Sequence, residues 1–265
     1  MHIAVCLKQV PDTTDVRINP ETNTLVRDGV ASIINPFDVY AIEEAVRVKE
    51  RPPCGGSGKV TVITMGPPQA EAALREALSV GADEAVLLTD RAFGGGDTLA
   101  TSWALACAIR RLAPDLVLCG KQAIDGDTAQ VGPGIACHLD WPQACYVSKI
   151  VEMASGRAVV ECLMDNGRET LEVALPAVMT VVKEINEPRL ASLKGKMRAK
   201  KAEIVKWGAA EAGADPARVG LKGSPTAVFR VFSPPKRGGG ERIEGDGPAE
   251  KARILVAKLK SAQII

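Results

Sequence analysis

The sequence predicts an α/β protein: a parallel sheet flanked by helices, an antiparallel addition behind it, and an extended C-terminal arm. Three observations carry that expectation. Short apolar β-like runs alternate with helical segments through the first two-thirds of the chain, the pattern of a parallel sheet covered on both faces. After Trp141 the period changes from helical to alternating, with "ASG" and "DNG" turns between the runs. From Asn186 the composition turns basic and then rich in Ala, Gly and Pro, and its pieces cannot bury a core of their own. The expected division is an α/β domain over 1–185 and an arm over 186–265 that packs on another surface, a second subunit.

The elements follow in order. "HIAVCLK" is the first strand. A long excursion comes next, "QVPDTTDVRINPETNTLVRDGVASIINPFD", with turn residues throughout and room for a small hairpin. "PFDVYAIEEAVRVKE" is a helix with proline in its first turn, apolar residues at Val39, Ile42, Val46 and Val48, and Arg47 and Lys49 in its last turn, where the dipole favours cations. "KVTVITMG" is a second strand, "QAEAALREALSVGA" a helix closed by Gly81, and "EAVLLTD" a third strand. "FGGGDTLATSWALACAIRRLAP" supplies a glycine-rich turn, an N-cap at Asp97 or Thr98, an apolar helix and a terminating Pro114. "DLVLCG" is the fourth strand. Pro133 is tolerated only in a helix's first turn, so the next helix starts between Thr128 and Gly132 and runs through "GIACHLD". "ACYVSKIVEM", "RAVVECLM" and "ETLEVAL" make the antiparallel addition, which ends in "PAVMTVVKEI" as a further strand. The arm holds "NEPRLASLKGKMRAKKAEIVKW", a linker, "SPPKRGGGERIEGDG" and a terminal helix "PAEKARILVAKLKSAQII".

Composition narrows the function. With 33 basic against 32 acidic residues the net charge is +1, so no global field draws nucleic acid or an anionic membrane. Aromatic residues make up 3% of the 265, too few for stacking platforms that bind single strands. No apolar run approaches the ~20 residues that span a bilayer, and "MHIAVCLKQVPDT" has no basic region before its short apolar run, unlike a signal peptide. Seven scattered cysteines (Cys6, Cys54, Cys107, Cys119, Cys137, Cys145, Cys162) without a C-x-x-C pair read as reduced, mostly buried thiols of a cytoplasmic protein. His2 and His138 are the only imidazoles, little material for a metal cluster or a triad, and His138 reads as a helix-face residue. No metal site is expected.

The stretch "GKQAIDGDTAQVGPG", Gly120 to Gly134, lies directly behind the apolar run "DLVLCG". A buried strand followed by glycine and a helix start is where open α/β sheets bind nucleotides. Neither G-x-G-x-x-G after the first strand nor G-x-x-x-x-G-K-[ST] occurs, which disfavours a simple Rossmann fold and a P-loop. The glycines could equally do no more than make turns. If they face a phosphate, the Gly126, Thr128 and Ala129 amides would point at it, while Asp125 and Asp127 would cap the following helix or accept from ribose hydroxyls.

Several long stretches together decide what pattern leaves open: "VCLKQVPDT", "NPFDVYAIEEAVRVKE", "TMGP", "ALSVGAD", "DLVLCGKQAIDGDTAQVGPGIACHLDWPQ", "LPAVMTVVKEINEPRLASLKGKMRAKK" and "LVAKL". They closely resemble the β subunit of electron transfer flavoproteins, the family that also includes the nitrogen-fixation FixA proteins, over nearly the whole chain. The resemblance implies a domain similar to adenine-nucleotide hydrolases. It also implies a heterodimer with an α subunit whose own FAD accepts electrons from dehydrogenases. The β-subunit site of such proteins holds either AMP, a structural ligand, or a second FAD. In the second, bifurcating group this FAD takes a hydride from NADH and splits the pair. One electron goes by the α-subunit FAD to an acyl-CoA dehydrogenase-type or quinone-linked partner, the other to ferredoxin or flavodoxin.

Carried onto this sequence, the family's cofactor contacts are Cys6, Asn35, Pro36, Phe37, Asp38, Met65, Gly120, Lys121, Gln122, Ala123, Ile124, Asp125, Gly126, Asp127, Thr128, Ala129, Gln130 and Val131. Thr128 and Gln130 would be polar contacts to phosphates or ribityl chain. The mitochondrial type resembles "AIDDDCNQTGQ" where this chain has "AIDGDTAQVGP", so Gly126 and Ala129 replace an acid and a larger polar residue. That is the form similar to the bifurcating group, and it implies FAD, with AMP as the alternative. No catalytic acid, base or nucleophile is expected, because a flavin carries its own hydride chemistry, and NADH oxidation is expected only of the flavin-bound complex. In "RLASLKGKMRAKK" the resemblance places Leu193 as an anchor for the partner dehydrogenase, ringed by Lys194, Lys196, Arg198, Lys200 and Lys201 that would steer it. Outside the family, a stand-alone adenine-nucleotide-binding regulatory protein of the universal-stress type stays open.

Overall fold

The computed structural model describes residues 1–12, 18–19, 24–25, 31–51, 58–229, 232 and 238–265. The first half of the chain forms β1 (His2–Cys6), β2 (Gln9–Pro11), β3 (Ile18–Asn19), β4 (Thr24–Leu25), β5 (Ser32–Ile34), α1 (Pro36–Glu50), β6 (Lys59–Met65), α2 (Glu71–Val80), β7 (Glu84–Leu88), α3 (Thr98–Leu112), β8 (Leu116–Gly120) and α4 (Val131–Leu139). The second half forms β9 (Gln143–Ala154), β10 (Arg157–Met164), β11 (Gly167–Ala174), β12 (Ala177–Val181), α5 (Leu193–Lys201), β13 (Val205–Trp207), α6 (Gly220–Gly223) and α7 (Pro248–Ser261).

A nine-stranded sheet runs in the order β11-β10-β9-β12-β8-β1-β6-β7-β13. Every pairing from β9 to β13 is parallel, and only β10 runs against the other strands, pairing antiparallel with β9 and with the edge strand β11. Alternation along each strand divides the core. Ile3 and Val5 of β1 and Leu116 and Leu118 of β8 meet α1 and α2 on one face, whereas Ala4, Cys6, Val117 and Cys119 meet α3 and α4 on the other. The expected caps are present: Pro36 opens α1, Gly81 closes α2 at φ +135°, and the Asp97 carboxylate accepts from the Leu99 and Ala100 amides at the start of α3. Within the excursion after β1, β2 pairs with β5 and β3 with β4, both antiparallel. The rest of that excursion and Cys54 lie outside the described residues.

Two features differ from the sequence expectation. The "PAVMTV" strand, β12, does not close the antiparallel addition. It inserts between β8 and β9, parallel to both, and β9 itself is parallel to β12 while serving as the base of the meander. All five β12 residues are buried, so burial on both faces places this strand inside the sheet.

The second difference concerns the arm, expected to begin at 186. Residues 193–224 fold back onto their own sheet: α5 lies on α2, β13 extends the sheet beside β7, and Ala199, Ala209, Ala212, Ala214 and Val219 are buried. The edge of β7 supplies backbone partners that a free arm would lack. The described residues beyond 224 remain outside. No residue of α7 is buried, and Val228, Phe229, Leu255, Val256, Ile264 and Ile265 are exposed. No described helix is long and apolar enough to cross a membrane.

Candidate cofactor-binding site

The sheet grows from β1 in two directions, to β6 and β7 on one side and to β8 and β12 on the other. The carboxyl ends of β1 and β8 therefore bound a topological switch point, where open α/β sheets hold ligands. Cys6 and Cys119 are register partners there, at the last turn of the core before the loops diverge. Both thiols are buried, and the Cys6 side chain together with burial pushes the Cys119 thiol well above its ordinary value, so it stays protonated.

Three segments converge on this point. Behind β1, the Lys8 carbonyl accepts the Asn35 N–H at 2.8 Å, which brings "NPFD" back beside the strand end. Asn35 is 1% exposed, and its amide reads the loop behind β8 on both atoms: Nδ2 donates to the Gln122 carbonyl (2.8 Å) and Oδ1 accepts the Ile124 N–H (3.1 Å). Asp38 joins the two strand ends, accepting the Lys8 N–H (2.7 Å) on one oxygen and the Gly120 N–H (3.1 Å) on the other. Both its oxygens are thereby engaged, and its part is to hold the crevice walls. Burial pushes its carboxyl up to about 7 against the pull of those hydrogen bonds. Pro36 and Phe37 start α1 alongside, with the Lys121 ammonium 4.8 Å from the Phe37 ring centre. Met65 ends β6 at the same edge.

The loop Lys121–Gln130 closes the crevice. Lys121 donates its N–H to the Val181 carbonyl, and Gly126 and Asp127 donate theirs to Ala123, making a tight turn that carries Ile124 and Asp125 outward. Asp127 and Ala129 adopt left-handed backbone, φ +51° and +54°. Of the two roles expected for Asp125 and Asp127, capping of α4 is not what they do, and the Gly126 amide does not face outward, contrary to expectation. Lys8 Nζ holds Asp125 at 2.6 Å and Gln122 Nε2 holds Asp127 at 2.6 Å, while Gln130 occupies the N-cap position without a side-chain cap bond. Thr98 Oγ1, at the start of α3, bonds Gln130 Oε1 at 3.0 Å and ties the two helix N-termini together.

The backbone N–H groups of Thr128, Ala129, Gln130, Val131 and Gly132 make no hydrogen bond among the described residues. Such a row at a helix start, with the dipole behind it, suits a phosphate or pyrophosphate. Lys8 lies in the strand end Cys6 to Gln9 that the sequence also offers for the site, but its pairing with Asp125, 117 residues away, has no local signal; Thr98, whose partner Gln130 is 32 residues away, belongs to the site and was missed by sequence reasoning. His138 sits in the last turn of α4, edge-on to Trp103 at 5.3 Å, a helix-face residue away from the crevice.

A row of unpaired amides, an asparagine that reads a loop backbone and a switch point at the ends of β1 and β8 define an α/β protein with a candidate nucleotide-binding crevice. Residues 22–212 match the family model described as the electron transfer flavoprotein domain. The chain is 51% identical over 266 residues, the full length of both, to a protein named caffeyl-CoA reductase-Etf complex subunit CarD from Acetobacterium woodii. It is equally identical, again over both full lengths, to an electron transfer flavoprotein subunit beta from Thermoanaerobacterium thermosaccharolyticum. Protein FixA from Sinorhizobium fredii is 50% identical over 245 residues, 89% of this chain and 85% of that one. The chain belongs to the electron transfer flavoprotein β-subunit family. Its role is therefore electron transfer as a subunit of a flavoprotein complex, and the stand-alone regulatory reading falls away.

Proposed function

We propose that this chain is the β subunit of a bifurcating electron transfer flavoprotein, with FAD in the crevice between β1 and β8 and NADH as electron donor. The observation that carries the reading is the backbone around Gly126. Its φ lies outside the left-handed region, and a Cβ built there meets nothing within 4 Å. The fold does not need glycine at this position, so its small size serves whatever occupies the space beside the loop. Ala129 points the same way. It holds left-handed backbone at φ +54°, where asparagine is at ease and alanine costs about 1 kcal/mol.

The residues present fit such a group. Amides from Thr128 to Gly132 would take the pyrophosphate, Lys8 and Lys121 add positive charge at the rim, and the Lys8–Asp125 pair keeps one loop acid neutralised. When bound, the flavin supplies the hydride and one-electron chemistry. The protein's own part is to fix position and field: Asn35 and Asp38 keep the loop and the strand ends in place, and Cys119 stays a neutral thiol beside them. The exposed Phe229, Leu255 and Ile264 supply the apolar surface on which an α subunit would pack. Leu193, 77% exposed at the start of α5, would anchor an acyl-CoA dehydrogenase-type partner. The low-potential acceptor would be ferredoxin or flavodoxin, and the complex would work in the cytoplasm.

Releasing and identifying the nucleotides of the purified αβ complex tests this directly. Two FAD per heterodimer are expected, and the β-bound one is reduced by NADH. One FAD and one AMP would overturn the reading in favour of an AMP-bearing subunit.

A further inference from the structure

The segment before Leu193 is fastened to the domain by a charge network that the cofactor site does not use. Arg189 forks onto two carboxylates of α1. Its Nε and one terminal nitrogen meet Glu43 at 2.8 and 3.2 Å, and its terminal nitrogens meet Glu50 at 2.8 and 2.9 Å. The Arg189 backbone N–H also donates to Glu43, at 3.1 Å. Glu43 is 4% exposed, and Arg47 shares it at 2.6 Å while donating to the Glu187 carbonyl. One step earlier, Asn186 donates to the Tyr40 carbonyl and to Glu44, itself 2% exposed and paired with Arg51. Burial alone would push the Glu43 carboxyl up, yet the two guanidiniums hold it below its ordinary value. A charge this buried is kept only by partners of this quality.

The far end of the segment is fastened too. Arg198 donates to the Leu78 and Ala82 carbonyls at the end of α2, at 2.7 and 2.8 Å, so it grips the domain and is not among the steering charges. Arg75 donates to the Ala199 carbonyl at 2.7 Å. Gly195 lets α5 approach: a Cβ there would sit 2.1 Å from the Ser79 carbonyl oxygen. Between these anchors the chain does the opposite of burying itself. Leu190 is 95% exposed and Leu193 77%, with Met197 next on the same surface at 56%. Two large leucines held out in water by a half-buried arginine fork on a buried carboxylate and by a tight helix contact form a preformed projection, which saves the ordering cost that a flexible loop meets on binding.

We propose that Arg189, clamped by Glu43 and Glu50, is the positioning residue of the docking loop: it holds Leu190 and Leu193 in their partner-ready arrangement before any partner arrives. The inference rests on the reading of Leu193 as the partner anchor and adds what presents it. The loop's affinity then depends on α1, which holds the loop through Glu43 and Glu50.

The test uses the purified αβ complex and a purified acyl-CoA dehydrogenase with which the wild-type complex exchanges electrons. Two readouts are taken: amide hydrogen exchange over residues 187–195 without the dehydrogenase, and kcat and KM for the dehydrogenase. Arg189→Ala is expected to speed exchange and to raise KM about tenfold, the size expected for re-ordering one or two side chains on binding, with kcat little changed. Arg189→Lys, which keeps the charge but loses the fork, falls between. Glu50→Gln removes only the exposed half of the clamp and serves if Arg189→Ala fails to fold; it should shift both readouts in the same sense, by less. Leu193→Ala should raise KM and leave exchange as in the wild type. If Leu193→Ala raises KM while the Arg189 and Glu50 variants change neither readout, the clamp is overturned and the anchor stands. If Leu193→Ala leaves KM unchanged, the anchor reading itself fails, and the clamp's role in docking fails with it.

Discussion

Asp38 and Gly120 are joined by a 3.1 Å hydrogen bond from the glycine N–H to one carboxylate oxygen, while the other oxygen holds the Lys8 N–H at 2.7 Å. One side chain from the first turn of α1 thus fixes the spacing of the two strand ends that bound the crevice. A Cβ on residue 120 would lie 2.3 Å from that oxygen and 2.7 Å from the Phe37 carbonyl carbon, with backbone on one side and a buried carboxylate on the other. Neither can move without opening the β1–β8 junction. Gly120→Ala is expected to destabilise the chain by about 1–3 kcal/mol, the usual cost of overpacking, and to lose β-site nucleotide in parallel. Urea unfolding and nucleotide content of the purified complex check both halves.

The same carboxyl makes stability depend on pH in an unusual sense. Burial raises its folded-state value from 3.8 to about 7, so the folded chain keeps a proton that the unfolded chain releases. The stability contributed through Asp38 is therefore fully present below the unfolded value and falls as pH rises to about 7, the reverse of a salt-bridged carboxylate. Asp38→Asn removes this titration. The stability difference between wild type and Asp38→Asn should shrink in the wild type's disfavour between pH 4 and 7. Chemical denaturation at several pH values across that window measures it, and a pH-independent difference would show that the carboxylate is already ionised.

Much of this was legible in the sequence where the signal is local. Pro36, Gly81 and Asp97 mark helix ends because the backbone requirement and the residue that meets it lie within one turn. The Gly120–Gly134 stretch marked a candidate site through glycines and Pro133 behind a buried strand. What escaped was set by distant partners. Glu43 and Glu44 look like ordinary surface charges of a helix paired with Arg47 and Arg51, and the segment that covers them, with Arg189 and Asn186, lies more than a hundred residues on. The three residues of β13 are too few to show a period, and their pairing with β7 is visible only in three dimensions. The slot between β8 and β9 that β12 fills is likewise a matter of strand order, which local pattern does not encode.

At Gly126 ligand and fold can be separated. Because a Cβ there meets nothing within 4 Å and the backbone is not left-handed, Gly126→Asp should leave the melting temperature of the nucleotide-free chain within a degree or two, as exposed substitutions do. In the complex it places a carboxylate beside the pyrophosphate amides, so β-site FAD should fall at least severalfold while AMP is retained. Full FAD occupancy in this variant would mean that the open space at 126 plays no part in choosing the cofactor.

Ala129 gives the complementary experiment, because there stability and ligand choice should move in opposite directions. At φ +54° alanine carries backbone strain that asparagine relieves by bonding its own backbone, so Ala129→Asn is expected to stabilise the nucleotide-free chain by about 0.5–1 kcal/mol. The added amide also narrows the space beside Gly126 and Gln130, where Thr98 already holds the Gln130 side chain at 3.0 Å. Flavin content of the complex should therefore drop even as the protein gains stability, and Gly126→Asp combined with Ala129→Asn should convert the β site to AMP more completely than either change alone. The two positions are close enough to couple, so the double variant is read against the sum of the single ones. Thermal melts of the isolated chain and chromatography of released nucleotide decide it. A variant that gains stability and keeps its FAD would show that the strained alanine is not retained for the cofactor's sake.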